Sequence, residues 1–372
     1  MRDVRQPEKH PHLLREGNEG GSFKIKEEIM AKKNNLLMKL LDESGPSGFE
    51  KPIRDHISRE IRKYVTDIKT DKFGNLIAHK KGKSPKVMLV AHMDEIGLLI
   101  KNIFDDGHIY VAAIGGIEPS ILLGERVRVK TKKGHIRGVI TTKEIHNGDE
   151  VITVPTMKEI YVDTGLNKKE LIKLGVEIGT YLHLITHSTV LGSDKIICGK
   201  ALDDRLGCYV VLELARLLKK SKCDLYYVFT VQEEVGLYGS RTSMYSMDPD
   251  WALVIDTTAA DDNSPDRATK LIGSGPCITI KDSDMIGNKT INDLFKEKAK
   301  KHKIPLQLEI TDFGTTDALS ISVAKGGIPT GLVSIPIRNI HTTAGIAHLD
   351  DINNAIKIIE TILKNHPIIR VS

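Results

Sequence analysis

The residues able to do chemistry stand where apolar runs of this chain end. Lys86–Ala91 (KVMLVA) is followed directly by His92-Met93-Asp94-Glu95, and Leu225–Val231 (LYYVFTV) runs into Gln232-Glu233-Glu234-Val235-Gly236. Ala252–Ile255 ends in Asp256, and Gly331–Ile335 leads through Pro336-Ile337-Arg338-Asn339-Ile340 into His341. A fifth cluster, Asp203-Asp204-Arg205, opens the helical stripe that begins near Leu206. Imidazoles with carboxylates are the nitrogen and oxygen donors that Zn²⁺, Co²⁺ or Mn²⁺ accept. Two histidines and three carboxylates suffice for two cations if one carboxylate bridges. Three carboxylates and a hydroxide nearly balance two divalent charges, whereas they would over-neutralise a lone cation. Each residue also has a plainer reading. Asp203 could cap the helix after it, Glu233 and Glu234 could be a solvated pair, and any one of fourteen histidines could be structural. Five such groups together at sheet edges favour a site. His183 and His187 have the i, i+4 spacing of a zinc helix but no H-E-x-x-H, and they read as surface or core filler. His348 belongs to the loop before the last helix and is discounted.

The elements that must position these groups follow from the apolar pattern. Lys86–Ala91, Leu225–Val231, Ala252–Ile255, Leu306–Thr311 and Gly331–Ile335 read as strands, the short apolar runs among them as buried ones. Helical stripes are carried by Leu36, Leu37, Leu40 and Leu41, by Ile53, Ile57, Ile61 and Tyr64, and by Leu206, Val210, Leu214 and Leu217. Further helices are expected over Thr290–Lys301, Thr315–Ala324 and Ile352–Leu363. Strands alternating with helices predict an α/β fold with a mostly parallel sheet and helices on both faces. In such sheets ligands bind outside the carboxyl ends of the strands, where these donors lie. Around Arg126–Ser188 the pattern changes to short antiparallel strands with one small helix near Lys168–Leu174. The expected organisation is therefore a domain formed by residues 30–97 and 190–372, interrupted by a β-rich insertion at 98–189. Residues 1–29 are polar and aperiodic and are expected to form a disordered extension.

Composition excludes several classes of function. The chain has 372 residues, 40% hydrophobic and 28% charged, which is ordinary for a globular protein. No apolar run approaches the roughly 18–20 residues that span a bilayer, so no membrane partner is expected. A net charge of +5 is mild for this length, and without a basic cluster interleaved with aromatics no nucleic-acid partner is expected. Four widely spaced cysteines form no C-x-x-C pair, which excludes a cysteine zinc knuckle and gives no sign of a disulfide framework. With no secretory signal pattern, the cytoplasm is the expected location. The G-x-S-x-G elbow, the G-x-x-x-x-G-K-[ST] loop and the G-x-G-x-x-G fingerprint are all absent.

Together Ala91–Gly97 (AHMDEIG), Lys200–Gly207 (KALDDRLG), Gln232–Gly236 (QEEVG), Val254-Ile255-Asp256, Thr315–Ala318 (TTDA) and Pro336–His341 carry a resemblance. In this order, over about Leu36 to Leu363, they resemble the TET-type aminopeptidases, the deblocking or glutamyl aminopeptidase family of dinuclear metallopeptidases. The resemblance implies a zinc-aminopeptidase-like catalytic domain interrupted by a PDZ-like dimerisation domain, in a homo-oligomer that is typically a dodecameric tetrahedral shell. It implies two divalent metal ions per subunit, Zn or Co and otherwise Mn. His92 and Asp256 would hold one, Glu234 and His341 the other, and Asp203 would bridge them. Asp94 would accept the free N–H of His92, Glu233 would be the general base, and the Asp203–Asp204 peptide would be cis. The implied reaction is hydrolysis of the N-terminal peptide bond of short peptides by a water that both metals activate. A dinuclear deacylase or carboxypeptidase, an endoglucanase and a non-catalytic scaffold are the alternatives. The sequence departs from the family in its first 29 residues and in Thr342, where serine usually follows the last histidine.

Overall fold

The computed structural model describes residues 35–143, 154–263, 268–365 and 367–369. The expected extension at 1–29 lies outside the described residues. Two helices open the fold, α1 (Asn35–Asp42) and α2 (Lys51–Ile61), followed by β1 (Asp67–Thr70), β2 (Leu76–Lys80) and β3 (Lys83–His92). Six strands come next: β4 (Gly97–Ile103), β5 (Ile109–Ile114), β6 (Arg126–Thr131), β7 (Gly134–Thr141), β8 (Tyr161–Asp163) and β9 (Tyr181–Leu184). Helix α3 (Lys168–Lys173) lies between the last two. The chain continues through β10 (Thr189–Val190), β11 (Ile196–Gly199), α4 (Leu202–Leu217), β12 (Cys223–Thr230), α5 (Tyr238–Ser243) and β13 (Trp251–Ala259). It ends with β14 (Cys277–Lys281), α6 (Lys289–His302), β15 (Gln307–Ile310), α7 (Asp317–Ser322), β16 (Thr330–Arg338), β17 (Gly345–His348) and α8 (Leu349–Lys364).

Eleven strands form one mixed sheet along the path β1-β2-β12-β3-β13-β16-β17-β11-β10, with β14 joined to β15 and β16. Its centre, β12-β3-β13-β16, is parallel, as is the β14–β15 pair. The other pairings are antiparallel, so the expectation of a mostly parallel sheet is corrected to a parallel centre with antiparallel flanks. The reason is partly geometric. A parallel connection needs a crossover of a dozen or more residues, and the short link from β1 to β2 permits only a hairpin. The central strands are buried on both faces and therefore read as continuous apolar runs. Along β3, Val87, Leu89 and Ala91 pack with α1, α2, α4, α6 and α8, while Met88 and Val90 face Met244, Ala318 and Ile321 around α5 and α7. Helices thus cover both faces.

Strands β4 to β9 close into a barrel in the order β4-β5-β8-β7-β6-β9, around a core that includes Leu98, Val111, Val127, Val129, Val162 and Leu182. The barrel leaves the sheet four residues after His92 and returns to it at β10. Among the described residues no helix is long and apolar enough to cross a membrane.

Candidate metal centre

The parallel centre brings the chemical groups to one edge. His92 ends β3, and its register partner Thr230 ends β12, so the loop that carries Glu233 and Glu234 starts beside His92. Asp256 lies in the next strand, paired with Ser334 of β16, and the chain after β16 turns through His341 at φ +58°. Asp203 approaches from the start of α4, where it and Asp204 depart from helical geometry. The Asp203–Asp204 peptide is cis. Asp203 does not cap α4. Asp204 serves the first turn instead, its Oδ1 accepting the Gly207 N–H at 2.8 Å.

Two groups of donors meet at Asp203. His92 Nε2 lies 3.1 Å from Asp203 Oδ1 and 3.8 Å from Asp256 Oδ1. His341 Nε2 lies 3.3 Å from Asp203 Oδ2 and 3.3 Å from Glu234 Oε2. Each group of three has its donor atoms within 4.8 Å of one another, and Asp203 belongs to both. Glu233 is in neither group but lines the same cavity of about 640 Å³. Behind the histidine, Asp94 is fully buried. Its carboxylate accepts from Ser47 Oγ at 2.7 Å and from the backbone N–H groups of Glu233 and Glu234 at 3.1 and 3.2 Å. His92 Nδ1 faces Asp94 Oδ1 at 3.6 Å, longer than a hydrogen bond.

The electrostatics are those of an uncompensated acidic cluster. Burial raises the carboxyls of Glu233, Glu234 and Asp256, and neighbouring acids push them further, Glu234 up to about 8. Burial works against the charged form of His341, yet Asp203 and Glu234 raise it to about 9. His92 is likewise raised by Asp203 and Asp94 against burial. Asp203 is held far below its ordinary range, against burial, by hydrogen bonds from the two imidazoles. Glu234 Oε1 is buried with no hydrogen-bond partner. Buried carboxylates, an orphaned oxygen and borderline nitrogen donors fit divalent cations, which would satisfy all three.

A model of the M42 glutamyl aminopeptidase family matches residues 74–358. The chain belongs to that family. It is accordingly an aminopeptidase, a hydrolase of peptide bonds. It is 34% identical to the lysyl aminopeptidase of Pyrococcus furiosus over 340 residues, 88% of this chain and 96% of the relative. An aminopeptidase structure from the archaeon Desulfurococcus kamchatkensis superposes with a TM-score of 0.85 at 36% identity, covering 90% of this chain and 95% of that one. The TET1 peptidase of Pyrococcus horikoshii, which can assemble into a tetrahedron or a large octahedral shell, gives 0.80 at 32% identity, covering 88% and 98%.

Some parts of this M42 site escape sequence reading. The turn after β5 reaches the centre from the barrel: a Cβ on Gly115, at φ +78°, would lie 3.1 Å from Glu234 Oε2, and one on Gly116 3.2 Å from His341 Nδ1. Ser47 sits in a stretch that reads only as a turn. Glu95, Lys200 and Arg205 form a buried ionic cluster under the His92 loop. The two glycines carry no chemical signal, and the ionic cluster could have been suspected only from its place inside the shared motifs. The histidines set aside lie elsewhere. His183 is on β9 with its Nδ1 against Ser44 Oγ, and His348 caps α8 by accepting the Asp350 N–H at 3.1 Å.

Proposed function

We propose that the chain is a metal-dependent aminopeptidase that removes N-terminal residues from short peptides, using two divalent cations per subunit, Zn or Co and otherwise Mn. The observation that carries this reading is the shared carboxylate of Asp203, at which two donor groups meet, each with one imidazole. His92 and Asp256 would hold one cation, Glu234 and His341 the other, and Asp203 would bridge them. Cations bound there supply Lewis-acid activation of a water and polarisation of the scissile carbonyl.

The protein's own groups do the rest. Asp94 faces the Nδ1 side of His92 and pins the backbone of Glu233 and Glu234, so that one loop presents two carboxylates with different tasks. Glu234 is a ligand. Glu233 is the general base, accepting a proton from the attacking water and handing it to the leaving amine. Its burial beside other acids suits a carboxylate that must hold a proton between the two transfers.

The same reading extends to assembly. The barrel would act as the PDZ-like dimerisation piece, bounded by residues 98–189 within a catalytic domain of 30–97 and 190–372. Dimers would build a homo-oligomeric dodecamer, a reading supported by the closed shells of the P. horikoshii peptidase. The cytoplasm is the proposed location, in keeping with the lack of a disulfide among the described residues.

The test is release of free amino acids from a panel of short peptides, with N-acetylated copies alongside, before and after chelation. Stepwise N-terminal release that stops on chelation and returns with Co²⁺ or Zn²⁺ supports the proposal. Equal cleavage of acetylated copies would favour a deacylase. Glu233→Gln should lower kcat by about 10²–10⁴-fold with both metals retained; loss of metal in parallel would make Glu233 a ligand instead.

A further inference from the structure

A second constellation lies on the outer face of the barrel, away from the metal donors. Arg126, Arg128 and Lys130 alternate along β6 and so share one side of the strand. Across the hairpin the register sets Arg137 opposite Arg128 and His135 opposite Lys130, and on the other side β9 sets His183 opposite Arg128. Like charges directly opposed on neighbouring strands are destabilising. Lys130 Nζ lies over the Phe49 ring, 5.0 Å from its centroid, but among the described residues no carboxylate forms an ion pair with Arg126, Arg128, Lys130 or Arg137.

These cations wall a cleft between the barrel and helices α1 and α2. Its cavity of about 650 Å³ is lined by Arg128, Lys130 and His183 on one side and by Lys39, His56 and Arg59 on the other. A smaller cavity of about 340 Å³ continues it past Arg126 and Arg137, with no carboxylate in its wall. The larger cavity also holds two acids, Asp42 and Glu43. Asp42 accepts the Ser188 N–H at 2.8 Å, and Glu43 lies 3.7 Å from His56. His56 presents a buried ring nitrogen that faces Glu43 at a distance too long for a hydrogen bond. His56 is 9% exposed, and its Nδ1 has no hydrogen-bond partner. Burial lowers the affinity of His56 and His183 for protons; Glu43 and Glu60 oppose this at His56 while Arg59 and Lys39 add to it, and Glu95 opposes it at His183 while Arg128, Lys200 and Lys130 add to it. The wall of the larger cavity thus carries four permanent cations, Lys39, Arg59, Arg128 and Lys130, against the two carboxylates of Asp42 and Glu43.

We propose that this cleft binds a multiply charged phosphate anion at a site separate from the metal centre. Several uncompensated cations ask for more charge than one carboxylate brings, and the guanidinium forks of Arg126, Arg128 and Arg137 match phosphate oxygens in pairs.

The test is titration calorimetry on the metal-loaded full chain with inorganic phosphate, pyrophosphate and ATP as separate probes. Metal content is checked after each run, because these probes also chelate. Saturable binding of pyrophosphate, stronger than that of phosphate, is expected, and the ATP arm tells a nucleotide from a free polyphosphate. The double variant Arg128→Ala/Arg137→Ala should weaken binding by about tenfold or more, with peptide hydrolysis unchanged. Lys130→Gln, a milder change at an exposed position, should weaken it by a smaller factor. Binding that survives both variants, or that disappears in Asp203→Asn, would overturn the proposal, the latter by placing the anion on the metals. So would absence of saturable binding by all three probes; a change of assembly size in the double variant by light scattering would then assign the cleft to a second copy of the chain.

Discussion

Removing the carboxylate of Glu95 should destabilise the chain more than removing it together with its partner. Glu95 is 6% exposed and Lys200 4%. The Lys200 ammonium donates to both Glu95 oxygens, at 2.9 and 2.7 Å, the Gly45 N–H donates to Oε1 at 2.8 Å, and Arg205 Nη2 lies 3.5 Å away. Arg205 has other acceptors, the carbonyls of Leu40, Glu43 and Met93 at 2.7–2.9 Å. Among the described residues, Lys200 has only the Glu43 carbonyl besides Glu95, at 3.1 Å. Glu95→Ala therefore leaves a buried ammonium with one acceptor. Breaking such a pair from one side costs about 3–5 kcal/mol, and the intact Arg205 contacts put the expectation near the low end, about 3 kcal/mol. Replacing both partners (Glu95→Ala with Lys200→Met) removes the stranded charge, so the double variant should be more stable than Glu95→Ala alone. Burial opposes the charge on Glu95, but Lys200 and Arg205 hold its carboxyl below the ordinary value of 4.5. The stabilisation is thus present above that pH and is lost as pH falls below it. The assay is urea unfolding followed by fluorescence of Trp251, the single tryptophan and fully buried, at fixed protein and metal concentration. A cost under about 1 kcal/mol for Glu95→Ala, or a double variant equal to the sum of the singles, would refute the reasoning.

Asp203→Asn should deplete metal from both donor groups in step, read by mass spectrometry of dialysed protein, and full retention of one metal would place the bridge elsewhere. Gly115→Val puts a branched side chain at φ +78° against Glu234; kcat/KM should fall by about 10²-fold, the scale of a 1 Å misplacement, and unchanged kinetics would dissociate the barrel turn from catalysis. His183 is held at about 4 by burial, with Arg128, Lys200 and Lys130 adding to it against the pull of Glu95. Its folded value lies below the unfolded 6.5, so its contribution is complete above pH 6.5 and declines as pH falls towards 4. The shift of about 2.5 units corresponds to at most about 3 kcal/mol, reduced by partial exposure to about 2. His183→Gln should therefore flatten the pH dependence of stability between pH 4 and 6.5, and a slope like that of the parent chain would assign the effect to His56 or another group.

What could be read in the sequence and what could not divide along a physical line. The central strands were legible because burial on both faces makes them apolar over their whole length, as in Lys86–Ala91 and Leu225–Val231. Their orientation relative to neighbours was not legible at the flanks, because pairing is a property of partners: nothing in Leu76–Lys80 says that β12 lies beside it. The two strands of the barrel before Arg126 carry no strict alternation, so the strand reading started too late there. His92, Asp203, Glu234, Asp256 and His341 stand out because ionisable groups that directly follow buried apolar strands, or open a helix beside them, are costly without a partner. Gly115 and Gly116 stand out for nothing, since what they contribute is the absence of a side chain.

The point at which the barrel enters the chain bears on this. A barrel appended at either end would have no reason to lie near the donors. This one departs after the four-residue link 93–96, from the carboxyl end of the central strand β3, so it is tethered at the edge where the sheet gathers the candidate donors. The tether lets the turn after β5 come back against Glu234 and His341, where a Cβ would crowd both, most at Gly115, which is at positive φ and where it would lie 2.9 Å from Ile96 Cγ2. Asp94 lies in the same short link, which fixes the Glu233–Glu234 backbone on one side while the barrel limits the Glu234–His341 pair on the other. The insertion therefore borders the site by connectivity as well as by packing, and a circularly permuted chain that keeps the barrel but cuts the 93–96 link should fold its two cores and lose metal affinity.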